Sequence, residues 1–183
     1  MSAVELRRWT RDEYERMIRA GIFAPEERVE LIDGEIIHVL PPRPHEATSM
    51  CLTYEALRSA FGSTFLVRPQ LSLALGADSQ PNPDAAVVRG GARDYRDRYP
   101  ETAVLVVEIA DSSLTFDQGP KACVYARANI ADYWIVNLAD QRLEIYREPA
   151  GEWYKKARYY EPAESVAPLA APDSLIAVAD LLP

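Results

Sequence analysis

Two carboxylates stand where carboxylates are rarely left alone. Glu108 lies inside the apolar run Val104-Leu105-Val106-Val107-Glu108-Ile109, and Asp84 follows Pro81-Asn82-Pro83 and opens the segment Asp84-Ala85-Ala86-Val87-Val88. A charged side chain within such a run needs a cation, a metal or a strong donor beside it. Two acids at adjacent strand ends make a seat for a hard divalent ion such as Mg²⁺, which takes oxygen ligands and keeps several waters. Lys121 is one helical turn from both Asp117 and Tyr125, so the three share a face of the helix that follows the Glu108 strand. Metal-assisted hydrolysis is the chemistry these residues permit. Asp84 and Glu108 would hold the ion, while Lys121 orients water or stabilises charge on a phosphate. The same residues also allow a purely structural arrangement: a buried Glu108–Lys121 ion pair, with Asp84 capping the turn after proline.

The elements that must position these residues follow from local patterns. Thr10 to Glu13 forms a capping box opening a helix over 10–21, with Tyr14, Met17 and Ile18 as its apolar stripe and Gly21 as its stop. Residues 29–40 predict a strand pair around Asp33-Gly34. Pro41, Pro42 and Pro44 break the chain before a helix over 45–61, with Met50, Leu52, Leu57 and Phe61 apolar. Strands are predicted at 65–67, 71–75, 84–88 and 104–110, the last buried on both faces. A helix over 117–128 is expected to start at Asp117 with Pro120 in its first turn. Strands at 133–138, 142–147 and 153–160 follow, with a turn at Asp140-Gln141, and then an Ala/Pro-rich tail that ends in the apolar segment Leu175 to Leu182. Strands, a crossover helix and more strands imply a mixed sheet with helices packed on it, in the α/β or α+β class.

Composition narrows the functions open to such a fold. The 183 residues hold 20 Lys and Arg against 28 Asp and Glu, a net charge of −8, which argues against a passive nucleic-acid binder with a basic face. The length suits one domain, 1–183. No apolar stretch is long enough for a membrane span, and the charged N-terminal segment is unlike a signal peptide, so a cytoplasmic protein is expected. Cys51 and Cys123 have no metal-binding spacing and are expected as reduced, mostly buried thiols.

Several motifs together carry a family resemblance. Glu30-Leu31-Ile32-Asp33-Gly34-Glu35, Pro83-Asp84, Val107-Glu108-Ile109, the Asp117/Lys121/Tyr125 spacing and Asp132-Tyr133-Trp134-Ile135-Val136 occur in an order that resembles the Uma2 family. That family is restriction-endonuclease-like and belongs to the PD-(D/E)xK nuclease superfamily. The resemblance implies a restriction-endonuclease-like mixed central sheet flanked by helices, with a nuclease-like core over about 28–148 and a C-terminal strand and tail over 149–183. It implies a divalent-metal-dependent endonuclease acting on phosphodiester bonds of nucleic acid, with DNA as the expected substrate and Mg²⁺ or Mn²⁺ as cofactor. On this resemblance Asp84 and Glu108 match the metal-binding acids, and the backbone carbonyl of Ile109 faces the metal. Lys121 matches the catalytic lysine, here on the following helix because Ala110 stands at the superfamily's usual lysine place. Glu30 matches a further acid that would bind a second metal or position water; paired with Arg28 it would instead be an ordinary strand carboxylate. Asp111 departs from the family's Ser-Pro-Ser-Thr segment and either joins the metal shell or weakens phosphate approach. Asn129-Ile130-Ala131 replaces a Gly-Val-Pro-like turn.

Weaker candidates surround this core. His45 would contact phosphate or the metal shell, or simply start a helix; His38 faces outward or packs. Tyr125 shares the Lys121 face as a substrate contact. Arg89 and Arg93 belong to an Arg-rich segment, 89–99, expected either to flank a substrate cleft or to be a mobile loop. Trp153 to Tyr160 interleaves aromatic and cationic residues, as an edge strand or a nucleic-acid contact. The apolar C-terminal segment would serve a homodimer interface, since nucleases that cut both strands often act as two-fold dimers. Two other functions fit the acidic surface: a non-catalytic interaction or dimerisation module that keeps the fold, and a hydrolase of a small phosphate ester.

Overall fold

The computed structural model describes residues 5–183; Met1 to Val4, which open the charged N-terminal segment, lie outside the described residues. Helix α1 (Arg11–Arg19) starts with the expected capping box: Thr10 accepts from the Glu13 amide and donates its own amide to the Glu13 carboxylate at 3.0 Å. Of its expected stripe only Tyr14 is buried, while Ile18 is exposed. The Tyr14 hydroxyl donates to the Val29 carbonyl at 2.9 Å, which ties the helix to strand β1 (Val29–Ile32). Strand β2 (Glu35–His38) completes the predicted hairpin. Asp33 and Gly34 have φ of 49° and 74°, the positive pair that a tight two-residue turn requires. A Cβ at Gly34 would stand 2.8 Å from Arg8 Cβ, so this turn accepts only glycine.

Helix α2 (Pro44–Phe61) buries Ser49, Thr53, Leu57 and Phe61, one face at four-residue spacing. The central sheet has six strands in spatial order β3 (Phe65–Pro69), β4 (Ala85–Arg89), β5 (Leu105–Ala110), β6 (Asp132–Asn137), β7 (Arg142–Ala150) and β8 (Trp153–Tyr160). Only the β5–β6 pair is parallel; the other neighbours are antiparallel. A parallel pair needs a crossover, and this one runs through α3 (Leu114–Phe116), a π-helical turn (Asp117–Lys121) and α4 (Ala122–Arg127). This is a mixed α+β architecture with helices on both faces of the sheet.

Side-chain alternation sorts the core into two layers. Leu105, Val107 and Ile109 of β5 pack with Leu57 and Phe61 of α2 and with Val166, Ile176, Val178 and Leu181 from the C-terminal region. Val106 and Ala110 face the opposite way, onto Ile32, Leu73, Tyr125 and Tyr133. Glu108 shares the parity of Val106 and Ala110, so it points into this second layer. Because β5 is buried along its whole length, every polar group on it needs a partner supplied by the fold.

Several expectations change. Leu71 to Leu75 is not a strand of the sheet; only Leu75 makes an isolated bridge, to Ser79. Its amides go elsewhere, from Leu73 to the Pro81 carbonyl and from Ala74 to that of Pro100. The helix expected to start at Asp117 begins three residues earlier, at Leu114, and Pro120 sits within the π turn rather than a first turn. Proline has no N–H and crowds the preceding turn; the wider turn absorbs it, and the Ala122 amide reaches back five residues to the Asp117 carbonyl. The apolar C-terminal segment is part of the core: Ile176, Val178 and Leu181 are buried, and Ser49 Oγ donates to the Leu181 carbonyl at 2.6 Å. Of its large apolar residues only Leu175 stands well exposed. The cysteines are free but less buried than expected, with Cys51 exposed on α2 and Cys123 half-buried on α4. Strand β8 is indeed an edge strand. No helix among the described residues is long and apolar enough to cross a membrane.

Candidate active site

The β4–β5 register brings the two expected acids together. Ala85 is opposite Val107, so Asp84 and Glu108 form the next position, just beyond the ladder. The Ile109 amide donates to Asp84 Oδ2 at 2.8 Å, and the Asp84 amide makes a long contact of 3.4 Å to Glu108 Oε2. A strand residue directs its N–H and C=O to the same side. The Ile109 carbonyl therefore points toward Asp84, on the wall of a cavity that Ile109 helps to line.

The crossover helix supplies the rest. Lys121 Nζ stands 3.0 Å from Glu108 Oε1, and the Tyr125 hydroxyl donates to the same oxygen at 2.6 Å. Asp117 is 3.8 Å from Lys121 Nζ and accepts from Ser113 Oγ at 2.6 Å. The hairpin contributes Glu30, whose Oε2 is 3.4 Å from Lys121 Nζ. Glu30 is thus buried beside the lysine and is not the exposed partner of Arg28. Its Oε2 has no hydrogen-bond partner among the described residues. Four carboxylates and one ammonium form the floor of a cavity of about 550 Å³.

Burial and mutual repulsion govern the charge state. Burial, reinforced by the Glu108 charge, pushes Asp84 and Asp117 up to about 7, against the usual carboxylate range near 4. Burial also raises Glu30, with Lys121 opposing it. Burial alone would lower the Lys121 ammonium, but Glu108, Glu30 and Asp117 hold it well above its ordinary value, so it stays charged.

The free acceptors suit a hard oxygen-seeking ion. Glu108 Oε1 is taken by Lys121 and Tyr125, which leaves Oε2 with one long contact. Asp84 Oδ2 takes the Ile109 amide, and Oδ1 accepts no hydrogen bond among the described residues. No group of three His, Cys, Asp or Glu among the described residues is placed to hold a metal by itself. Mg²⁺ does not require one, because it binds through one or two carboxylates with waters and substrate oxygens.

The fold does not gather every candidate. Tyr125 is fully buried beneath Glu108 and serves as its donor, away from the cavity surface. His45 is off the cavity wall; its Nε2 is 2.9 Å from Asp111 Oδ2, and Arg43 pairs with the same oxygen at 2.8 Å. Asp111 is thereby matched by two basic groups outside the floor. Arg89 ends β4, about 16 Å along the strand from Asp84, and its guanidinium lies over the Phe65 ring. Arg93 is in the exposed 3₁₀ turn beyond it, Ala92–Tyr95. The β8 segment is on the far edge of the sheet.

Sequence reasoning missed Asp117 as a floor residue, although its four-residue spacing to Lys121 was the available signal. It also missed Arg28, Asn82 and Arg43 on the cavity wall, with His38 beside them. No local signal marks those; they meet because the hairpin, the start of α2 and the loop before β4 converge on one cavity.

Comparison with known proteins bears on the family and the fold. A family model, Uma2, described as "Putative restriction endonuclease", matches residues 11–179. A search of curated proteins finds no match. The crystal structure of a "putative nuclease belonging to DUF820" from Anabaena variabilis is similar in fold, with a TM-score of 0.71 and 18% sequence identity over 94% of this chain and 96% of that one. The family match covers nearly the whole described chain, and the chain belongs to the Uma2 family of nuclease-like proteins.

Proposed function

We propose that this protein is a divalent-metal-dependent endonuclease that hydrolyses phosphodiester bonds of nucleic acid, with DNA as the expected substrate. The observation that carries the reading is the convergence of Asp84, Glu108 and Lys121, from three separate elements, on one cavity. Asp84 and Glu108, with the Ile109 carbonyl, are the residues that would hold Mg²⁺ or Mn²⁺. Bound there, the ion supplies neutralisation of phosphate charge and a lowered pKa for an attacking water.

The chain's own residues do the remaining work. Lys121 presents a permanent ammonium to charge developing on the phosphate. Glu30 offers a carboxylate oxygen whose one charged neighbour is Lys121 at 3.4 Å and which has no hydrogen-bond partner among the described residues, suited to orienting the attacking water or a second ion. Tyr125 holds Glu108 Oε1, which leaves Oε2 with only the long contact to the Asp84 amide. Asp117, anchored by Ser113, holds Lys121 from the other side. A cytoplasmic protein with reduced thiols fits this reading, and cutting both strands of a duplex would take two copies.

One observation favours a non-catalytic module instead: Lys121 already pairs with Glu108. The test is incubation of purified protein with plasmid, single-stranded DNA and RNA in Mg²⁺ or Mn²⁺, beside Asp84→Asn and Lys121→Ala. Metal-dependent cleavage by the wild type, lost in both variants and in EDTA, is expected. Equal cleavage by all three proteins would mark a contaminant and overturn the assignment. Absence of both cleavage and metal binding would leave the interaction module.

A further inference from the structure

The reacting floor lies deep. Glu30, Glu108 and Asp117 are only 2–3% exposed, and Lys121 is 8% exposed. A phosphate that reaches Asp84 and Lys121 must descend into the cavity; it cannot be touched from a flat surface. An intact duplex is a stiff rod, with a persistence length of about 150 base pairs, and its paired strands cannot be pushed singly down to a buried floor without cost. The cavity, at about 550 Å³, has the volume of a small-ligand site.

The wall above the floor differs in character from the floor. Arg28 lines the cavity and has no acidic partner among the described residues, whereas Arg43 is committed to Asp111 and Glu46. Leu40, 72% exposed, lines the same cavity with Pro41 and Pro42, and Phe116 and Met50 line it too. An apolar and aromatic wall next to one unpaired arginine is the surface a nucleobase and its phosphate require, since bases pack on ring faces and apolar groups while cations meet the backbone. The overall charge of −8 disfavours a long duplex, which needs many phosphate contacts at once.

We infer that this cavity takes a single-stranded nucleic-acid segment, with Arg28 on a backbone phosphate and the Leu40–Phe116 wall against a base. The inference rests on the nuclease reading of the floor and names the form of its substrate. Duplex is a substrate only where its strands are already parted. With Arg28 as the one uncommitted arginine of the cavity, affinity has a shallow salt dependence, a slope of about −0.7 in log K against log salt.

The test is fluorescence anisotropy with the full-length wild-type protein in Ca²⁺, using labelled ten-nucleotide single strands of DNA and RNA and a blunt hairpin duplex of the same sequence. Single strands are expected to bind at least tenfold tighter than the hairpin. Arg28→Ala, checked for an unchanged melting temperature, is expected to weaken single-strand binding by five- to tenfold and to leave the hairpin unaffected. The DNA and RNA arms decide which sugar is preferred. Equal or tighter hairpin binding, no binding of any strand, or indifference to Arg28→Ala would overturn the inference. Cleavage of the same strands in Mg²⁺ separates the two readings. Single-strand binding without cleavage sinks the nuclease alone, and equal cleavage of hairpin and single strand sinks the single-strand inference alone.

Discussion

Lys121 Nζ lies 3.0 Å from Glu108 Oε1, although one residue belongs to the crossover helix and the other to the central buried strand. Their contact is what locks the helix over the sheet at this end. Burying both charges is tolerated only because each has further partners, Tyr125 on the glutamate and two more acids on the lysine.

Removing one member of this pair is therefore expected to cost about 3–5 kcal/mol, because the other charge remains buried. Lys121→Met should show this loss by urea unfolding. The double variant Lys121→Met/Glu108→Gln should recover at least about 1 kcal/mol of it, as coupled neighbours do. Strictly additive losses would show that the pair is not coupled.

The raised acids predict a pH dependence for metal binding. Asp84 and Asp117 have folded-state values of about 7, above their ordinary 3.8. Between pH 4 and 7 the metal-free fold therefore holds more protons than the unfolded chain. Their contribution to stability is greatest below pH 4 and declines as pH rises toward 7. Mg²⁺ must displace the proton of Asp84, the ligand among these two, so its affinity should rise with pH up to about 7 and then level off. Calorimetry in two buffers of different ionisation enthalpy should detect proton release at pH 6 and none at pH 8.5. A pH-independent affinity without proton release would contradict this charge assignment.

Asp132 makes a separate prediction about the fold. It is fully buried and accepts from Trp134 Nε1 at 2.7 Å, Arg147 Nε at 2.8 Å and the Leu169 amide at 2.8 Å. This carboxylate ties strands β6 and β7 to the C-terminal tail. Asp132→Ala should cost about 2–5 kcal/mol, since it leaves Trp134 Nε1 and the Leu169 amide without their acceptor, while the half-buried Arg147 keeps the Ala167 carbonyl. Urea unfolding reads the loss, and limited proteolysis should cut first within 162–175. A loss under 1 kcal/mol would mean that the tail is held by its apolar contacts alone.

Much of the site was legible because its residues break strong local rules. Glu108 interrupts an apolar run, Asp84 follows a proline, and Asp33-Gly34 fits only a tight turn. What escaped depended on relations that sequence order hides. Leu71 to Leu75 alternates because Leu73 and Leu75 are buried, yet its amides pair with loop carbonyls and form no ladder. Asp117 looked like a helix cap because Pro120 suits a first turn, and the π turn that places both in mid-helix leaves no periodic signal. Arg89 follows Asp84 closely in sequence, but an extended strand carries it to the opposite end of the sheet. Arg28 met no motif at all; it reaches the cavity because the hairpin folds across the sheet.

The central claim is that Asp84 and Glu108 seat the ion at which phosphodiester hydrolysis takes place. Diffraction from crystals grown with Mn²⁺, collected at the manganese absorption edge, tests it most directly. The predicted result is an anomalous peak about 2.0–2.3 Å from a carboxylate oxygen of both Asp84 and Glu108 and close to the Ile109 carbonyl, absent in Asp84→Asn. No peak at saturating Mn²⁺, with Lys121 still paired to Glu108, would contradict it.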